Sequence, residues 1–269
     1  MSAPAVSDAA LYDAAAAATR AACELLVGAR PEAIRSKSNP RDLVTEWDLR
    51  SEERIRAVLE ERLPGIPVLG EEGGGVAGPA QGLRWLVDPI DGTVNFAHGL
   101  PLWGVSIAIE DASGVRAGVV SAPALGWWFE AIRGAGARDG TGARLYVSAT
   151  ERFDQALLVT GFPYDLATVP DNNLAEWCHL LKTAGSCRRL GSASLDLGMV
   201  ACGWFDGYWE RKLKPWDIAA GALIVAEAGG TVTDTRGGPF DPHAGEVAAT
   251  NGAIHQGLID ELGRVPPLP

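Results

Sequence analysis

Acidic residues in this chain recur where short apolar runs stop. Glu71 and Glu72 follow Pro67-Val68-Leu69-Gly70, Asp88 follows Trp85-Leu86-Val87, and Asp91 comes three residues later across a proline. Runs this short read as strands rather than helices. At the strand ends of an α/β sheet, side chains are held rigidly while the loops beyond leave room for a ligand. An isolated Asp-Pro or Asp-Gly is an ordinary turn former. Its repetition at successive strand ends points to a mixed α/β architecture that gathers carboxylates.

The remaining pattern fits that class. Residues 8–28 read as an opening helix. Ile55, Val58, Leu59 and Leu63 form one stripe of an amphipathic helix over 51–63, with Asp48 just before it and Pro64-Gly65 closing it. Residues 73–82 read as a flexible connector. The β-rich segments 102–109, 115–122 and 127–132, separated by Gly and Pro, suggest antiparallel neighbours. Beyond about residue 145, strands at 156–160 and 187–190 alternate with helical segments at 172–184, 193–203 and 217–228, the last closed by Gly229-Gly230. The fold class is therefore α/β: an α+β half over 1–145 and an α/β half over 146–269, sharing one core. No internal repeat is evident, and Val265–Pro269 reads as a frayed end.

Composition removes several function classes. With 47% hydrophobic residues in 269, the chain can bury a large core. Its formal charge of −11 repels polyanions, which argues against nucleic-acid binding and against anionic membranes. No basic residue precedes Arg20, so a secretory signal is not expected, and no apolar run is long enough to span a membrane. Cys23, Cys178, Cys187 and Cys202 form no C-x-x-C pair and read as buried thiols of a reducing cytoplasm. The four histidines lie far apart, which gives no support to a zinc site or a histidine-based triad. Most of the nine tryptophans lie within strand patterns and read as core or subunit-interface residues.

The run Asp88-Pro-Ile-Asp91-Gly-Thr-Val-Asn-Phe96 carries chemistry. Two carboxylates three apart, with the carbonyl of Ile90 between them, offer three oxygen ligands suited to a hard divalent cation such as Mg²⁺. Gly92 allows a close turn, and Thr93 can open a short helix whose N–H groups face an anion. Asp217, in Pro215-Trp216-Asp217, stands at a helix start, where it could act as an N-cap or be aimed at a metal. Asp48 is equally open between an N-cap and a residue behind the metal ligands.

These residues resemble the inositol monophosphatase family of Mg²⁺-dependent, lithium-sensitive sugar phosphatases. The resemblance rests on Gly70-Glu71-Glu72, the 88–96 run and Trp216-Asp217-Ile218-Ala219-Ala220-Gly221. It is supported by Asp42-Leu43-Val44-Thr45-Glu46-Trp47-Asp48, Arg189-Leu190-Gly191-Ser192-Ala193 and Glu227-Ala228-Gly229-Gly230, in family order from about Lys37 to Gly230. It implies a layered αβαβα sandwich assembled as a homodimer. It also implies one Mg²⁺ on Glu71, Asp88 and the Ile90 carbonyl, a second on Asp88, Asp91 and Asp217, and a weaker third by Glu71. By the same resemblance, Thr93, Glu71 and Asp48 orient the attacking water, and the Gly92 and Thr93 amides hold phosphate oxygens. Asp91, Gly191, Ser192, Ala193 and Glu210 read the polyol, and Lys37 lies on a mobile loop over the metals.

The expected activity is hydrolysis of inositol 1-phosphate or a similar small polyol phosphate by metal-activated water, without a covalent intermediate. Histidinol phosphate, fructose 1,6-bisphosphate and 3′-phosphoadenosine 5′-phosphate are alternatives within the same chemistry. A regulatory binding protein that keeps the fold is the alternative from another class. Arg211, Lys212 and Lys214 beside Glu210 read either as a solvated loop or as a preference for a more anionic substrate. Six acids, Asp48, Glu71, Asp88, Asp91, Glu210 and Asp217, belong to the one expected site, so over half of the acidic excess is local.

Overall fold

A computed structural model describes residues 6–75 and 82–265. Most of the expected 73–82 connector and all but the first residue of the expected frayed end lie outside them. The first half runs α1 (Asp8–Leu26), β1 (Ile34–Ser36), β2 (Leu43–Thr45), α2 (Glu46–Arg62), β3 (Val68–Gly70), β4 (Arg84–Asp91), α3 (Thr93–Ala97), β5 (Gly104–Asp111), β6 (Gly114–Ala122), β7 (Trp127–Ile132) and β8 (Gly136–Asp139). The second half runs β9 (Leu157–Thr160), α4 (Leu174–Thr183), β10 (Ser186–Arg188), α5 (Ala193–Ala201), β11 (Gly207–Arg211), α6 (Pro215–Glu227), β12 (Thr231–Thr233), β13 (Glu246–Thr250) and α7 (His255–Gly263).

Three hydrophobic clusters define the layers. Helices α1 and α2 bury Leu11, Leu26, Ile55 and Leu59 against Trp85, Val87, Ile107 and Val119 on one face of a six-stranded sheet ordered β3-β4-β5-β6-β7-β8. Its other face, with Leu86, Ala108 and Val120, meets Leu197, Ile218 and Ile224 of α5 and α6. Those two helices also cover Val159, Tyr208 and Val247 on a five-stranded sheet ordered β10-β9-β11-β13-β12. Leu158, Trp209 and Ala248 point the other way, towards Leu180 of α4 and Leu258 of α7. The alternation Leu158/Val159 and Tyr208/Trp209 is the period of two that lets a strand serve two layers. The result is an αβαβα sandwich. No helix among the described residues is long and apolar enough to cross a membrane.

Several boundaries differ from expectation for local reasons. Helix α2 begins at Glu46 rather than Ser51, because Thr45 caps it: Trp47 N donates to Thr45 Oγ1, and Thr45 N donates back to Asp48 Oδ2. Asp48 is thus inside the first turn, not before the helix. Strand β4 does not stop at Val87 but runs to Asp91, buried throughout. Pro215 opens α6 as its first residue instead of ending the preceding segment, and Asp217 is its third residue, not its N-cap. All four cysteines are free, but only Cys187 is buried, and Cys178 is exposed.

Candidate active site

Strand pairing assembles the first carboxylates. β3 lies parallel to β4, with Leu69 opposite Leu86 and Gly70 opposite Val87, so both strands end on the same side and Glu71 emerges beside Asp88. Glu71 N donates to Val87 O at 3.1 Å. Residues three apart on a regular strand face opposite ways. Here Asp88 pairs with Ser106 but Asp91 with Gly104, an extra residue on β4 that forms an irregularity in the ladder. That bulge resets the alternation and lets Asp88 and Asp91 face one cavity. Ile90, whose N–H donates to Asp88 Oδ1 at 3.0 Å, buries its side chain on the α1/α2 side.

The second half of the chain meets them through α5 and α6. Asp91 Oδ2 accepts from Ser192 Oγ, Ser194 Oγ and Ser194 N at 2.6–2.7 Å. A carboxylate from β4 therefore caps the α5 N-terminus, where Ser192 makes no cap bond of its own. Gly92 has φ +89°, and a Cβ there would lie 3.1 Å from both Gly191 O and Leu102 O, so only glycine lets the two segments meet this closely. Asn95 Nδ2 ties the same junction, donating to Leu102 O at 2.6 Å and Leu190 O at 2.8 Å. Asp217 Oδ2 accepts from Lys214 N at 2.7 Å in the first turn of α6. Glu210, on β11, is buried and accepts from Tyr208 Oη at 2.6 Å.

Two residues stand behind the cavity wall. Asp48, fully buried, presents Oδ1 to Thr93 Oγ1 at 3.0 Å, while Thr93 Oγ1 is also 2.9 Å from Ile90 O. A hydroxyl has one proton, so the two acceptors compete for it. Glu52 accepts from Glu72 N at 2.7 Å and Gly73 N at 2.8 Å and pairs with Arg56, which fixes the turn bearing Glu71. At the tip of the β1–β2 hairpin, Lys37 Nζ reaches Glu71 Oε1 at 2.8 Å and Glu72 Oε1 at 2.5 Å.

These elements surround a cavity of about 1020 Å³. Lys37, Glu71, Asp88, Ile90, Asp91, Gly92, Thr93, Gly191, Ser192, Ala193, Glu210 and Asp217 all line it, and of the sequence-predicted residues Asp48 alone lies behind. Asp196, which sequence reasoning passed over, also lines it. Its carboxylate is 1% exposed, and Oδ1 finds no hydrogen-bond partner among the described residues. The available signal was an acid within a helix whose residues are otherwise all uncharged and buried.

Electrostatically the floor is a cluster of acids in which Glu71 pairs with Lys37 and, among the described residues, no cation pairs with Asp88 or Asp217. Burial, then the charges of Glu71, Asp91 and Asp217, pushes Asp88 well above its ordinary pKa. Burial, then Asp91 and Glu71, does the same to Asp217. Burial also raises Asp91, although the Ser194 and Ser192 bonds oppose it. Burial raises Glu210 to about 7 against the Tyr208 hydrogen bond. For Lys37 burial works against the charge, but Glu71 and Glu72 outweigh it and hold the ammonium above the usual lysine range. Desolvated carboxylates that raise one another's pKa, all offering oxygen, form a donor set suited to a hard cation. Among the described residues no three His, Cys, Asp or Glu side chains are yet drawn to ligating distance of one point.

Arg189, Lys212 and Lys214 are exposed residues of the cavity lining, as is Asp165. Lys212 has φ +61°, a left-handed backbone that costs a residue of this type roughly 1–3 kcal/mol. Its ion pair with Asp165, at 3.3 Å and partly exposed, returns only about 0–1 kcal/mol.

The inositol monophosphatase family model matches residues 6–266. The chain is 42% identical to the inositol-1-monophosphatase of Synechocystis sp. over 233 residues, 87% of this chain and 81% of that one. It is 39% identical to the Nus factor SuhB of Pseudomonas aeruginosa, over 84% of this chain and 85% of that one. The solved inositol monophosphatase from Anabaena (Nostoc) sp. superposes with a TM-score of 0.87 at 39% identity, covering 96% of this chain and 97% of that one. Sandwich, acid-lined cavity and relatives agree: this chain belongs to the inositol monophosphatase family and is a phosphoric monoester hydrolase.

Proposed function

We propose that the chain hydrolyses inositol 1-phosphate or a similar small polyol phosphate with Mg²⁺, two ions and a weaker third, through a metal-activated water. The observation that carries this reading is the meeting of Glu71, Asp88, Asp91 and Asp217 in one cavity with no basic partner for Asp88 or Asp217 among the described residues. Glu71, Asp88, Ile90 O, Asp91 and Asp217 would hold the ions. When bound, the ions would neutralise phosphoryl oxygens, lower the pKa of a water and stabilise the leaving alkoxide.

The chain's own groups do the rest. If Thr93 gives its one proton to Asp48, its oxygen lone pairs are left to accept from a water, which orients that water towards phosphorus. Glu71, with Lys37 displaced, would share that orienting role. The Gly92 and Thr93 amides would hold phosphate oxygens. Glu210, with Asp91, Gly191, Ser192 and Ala193, would read hydroxyls at the far end. Buried in the cavity wall and hydrogen-bonded by Tyr208, Glu210 offers a carboxyl suited to a hydroxyl or amine. No side chain need carry the phosphoryl group.

The test is phosphate release from inositol 1-phosphate, histidinol phosphate, fructose 1,6-bisphosphate and 3′-phosphoadenosine 5′-phosphate with and without Mg²⁺. Inositol 1-phosphate is expected to lead. A preference of about tenfold for histidinol phosphate would replace it as substrate, a difference of about 1.4 kcal/mol. A second reading, a regulatory role on the retained fold, has the name of the Pseudomonas relative in its favour. Mg²⁺ binding without release from any ester would select it. We also infer a cytoplasmic homodimer, whose contact would cover some of the exposed large apolar side chains, such as Leu100, Leu181 or Trp204. Sedimentation at a monomer mass would reject the dimer.

A further inference from the structure

Two non-glycine residues among the described ones have positive φ, Asn173 and Lys212. Asn173 is explained by its surroundings. Asparagine tolerates the left-handed region, and here its buried amide donates to Thr160 Oγ1 and Gly161 O and accepts from Trp209 Nε1. Lys212 has no such account. Lysine gains nothing from that backbone, and among the described residues its ammonium meets only Asp165, at 3.3 Å and partly exposed, where water screens the pair. Glycine would take the same turn without strain, so what lysine adds at this point is a cation facing the cavity. Arg189 adds a second at the same cavity wall, exposed and with no hydrogen bond or ion pair to any described residue.

We propose that Lys212 is a specificity-determining residue that receives a second anionic group, phosphate or carboxylate, on the ester occupying the cavity. Strained backbone positions persist only where the surrounding structure holds them, and they cluster at ligand-binding sites. An anionic group on the substrate gives the Lys212 ammonium a charge-assisted hydrogen bond that Asp165 supplies only loosely. Glu210, two residues earlier, lines the cavity from a buried position, held by the Tyr208 hydroxyl behind it, and Lys212 is exposed. The proposal rests on the phosphatase reading of the same cavity and adds to inositol 1-phosphate a second class of accepted ester, one bearing two anionic groups.

The experiment compares the wild type with Lys212→Gly and Lys212→Asn, both of which fit a left-handed backbone. Steady-state kinetics are measured with Mg²⁺ on myo-inositol 1-phosphate, fructose 1,6-bisphosphate and 3-phosphoglycerate, alongside Tm. Both variants should raise KM about tenfold for an ester with a second anion and hold kcat, while inositol 1-phosphate changes by less than about twofold. Tm should stay equal in Lys212→Asn and equal or higher in Lys212→Gly. A rise confined to fructose 1,6-bisphosphate assigns Lys212 to phosphate, and one confined to 3-phosphoglycerate assigns it to carboxylate. Equal change on all three esters, or no change on any, overturns the proposal. Should the wild type release phosphate from none of them, the phosphatase reading falls. Calorimetric titration of the same esters onto wild type and variants then decides the Lys212 assignment separately: weaker binding of the doubly anionic esters alone sustains it, and equal binding ends it.

Discussion

Asp91 serves two purposes with its two oxygens. Its Oδ2 accepts three hydrogen bonds from Ser192 and Ser194, so it fastens β4 to α5 while facing the acid cluster. Asparagine at this position keeps an oxygen for those bonds but removes the charge. Asp91→Asn should therefore fold, with Tm changed by a few degrees, yet lose about a hundredfold or more in turnover. Near-normal activity would remove Asp91 from the metal set. Glu210 gives a pH signature. Its pKa of about 7 in the folded chain lies above the ordinary glutamate value of 4.5. Between those values the folded state binds more protons than the unfolded state, so stability is lost as pH rises through that window and levels off above it. Glu210→Gln should escape this loss, worth about 3 kcal/mol. In metal-free protein its Tm should exceed that of the wild type at pH 8 and converge with it near pH 4.5. Parallel Tm curves would contradict the buried-acid account. The clustered motif residues were legible because one short run holds Asp88, Asp91, Gly92 and Thr93. Glu52 and Asn95 were not, because each acts on a segment too distant in sequence for local spacing to signal.

Among the elements, β7 was legible to the residue, 127–132, because its alternation is bounded by Gly-rich turns. Helix α2 was misplaced at its start because the apolar stripe begins at Ile55, whereas the cap formed by Thr45 and Asp48 sets the first turn among polar residues. Strand β4 was cut short because Pro89 and Asp91 read as a turn, and only the partner strand β5 reveals the bulge that absorbs them. The same pair of strands holds a buried ion pair that sequence did not suggest. Arg84 lies opposite Glu110, Nη2 to Oε1 at 2.5 Å, and His243 Nε2 stands 3.1 Å from both Glu110 oxygens. Removing Glu110 takes a buried carboxylate away from both the buried Arg84 guanidinium and His243. Glu110→Ala should cost about 3–5 kcal/mol in denaturant unfolding, whereas the apolar double replacement Arg84→Met with Glu110→Leu should cost much less. Equal losses would show that the pair itself stabilises the sheet.

For the whole molecule, the layered order was expected from resemblance and is realised by α5 and α6, which separate the two sheets. The site lies where β3 and β4 end, α5 and α6 begin and β11 supplies Glu210. A cation that binds only the folded assembly must stabilise all of them together. At Mg²⁺ near 100 times its Kd the gain is about 2.7 kcal/mol, or roughly 5–10 °C in Tm for a chain of this size. Differential scanning calorimetry with Mg²⁺ and with chelator checks it. Asp88→Asn should reduce the shift, and an absent shift in the wild type would remove the cation from the account.

The contact of Lys37 with Glu71 and Glu72 bears on how a cation would enter. An ammonium already neutralises part of the pair, so admitting the proposed Mg²⁺ at Glu71 would be an exchange of counter-ions and not the filling of a bare anionic hole. The local charge then changes by one unit instead of two. The apparent affinity should accordingly depend less steeply on ionic strength than the −11 of the whole chain would suggest.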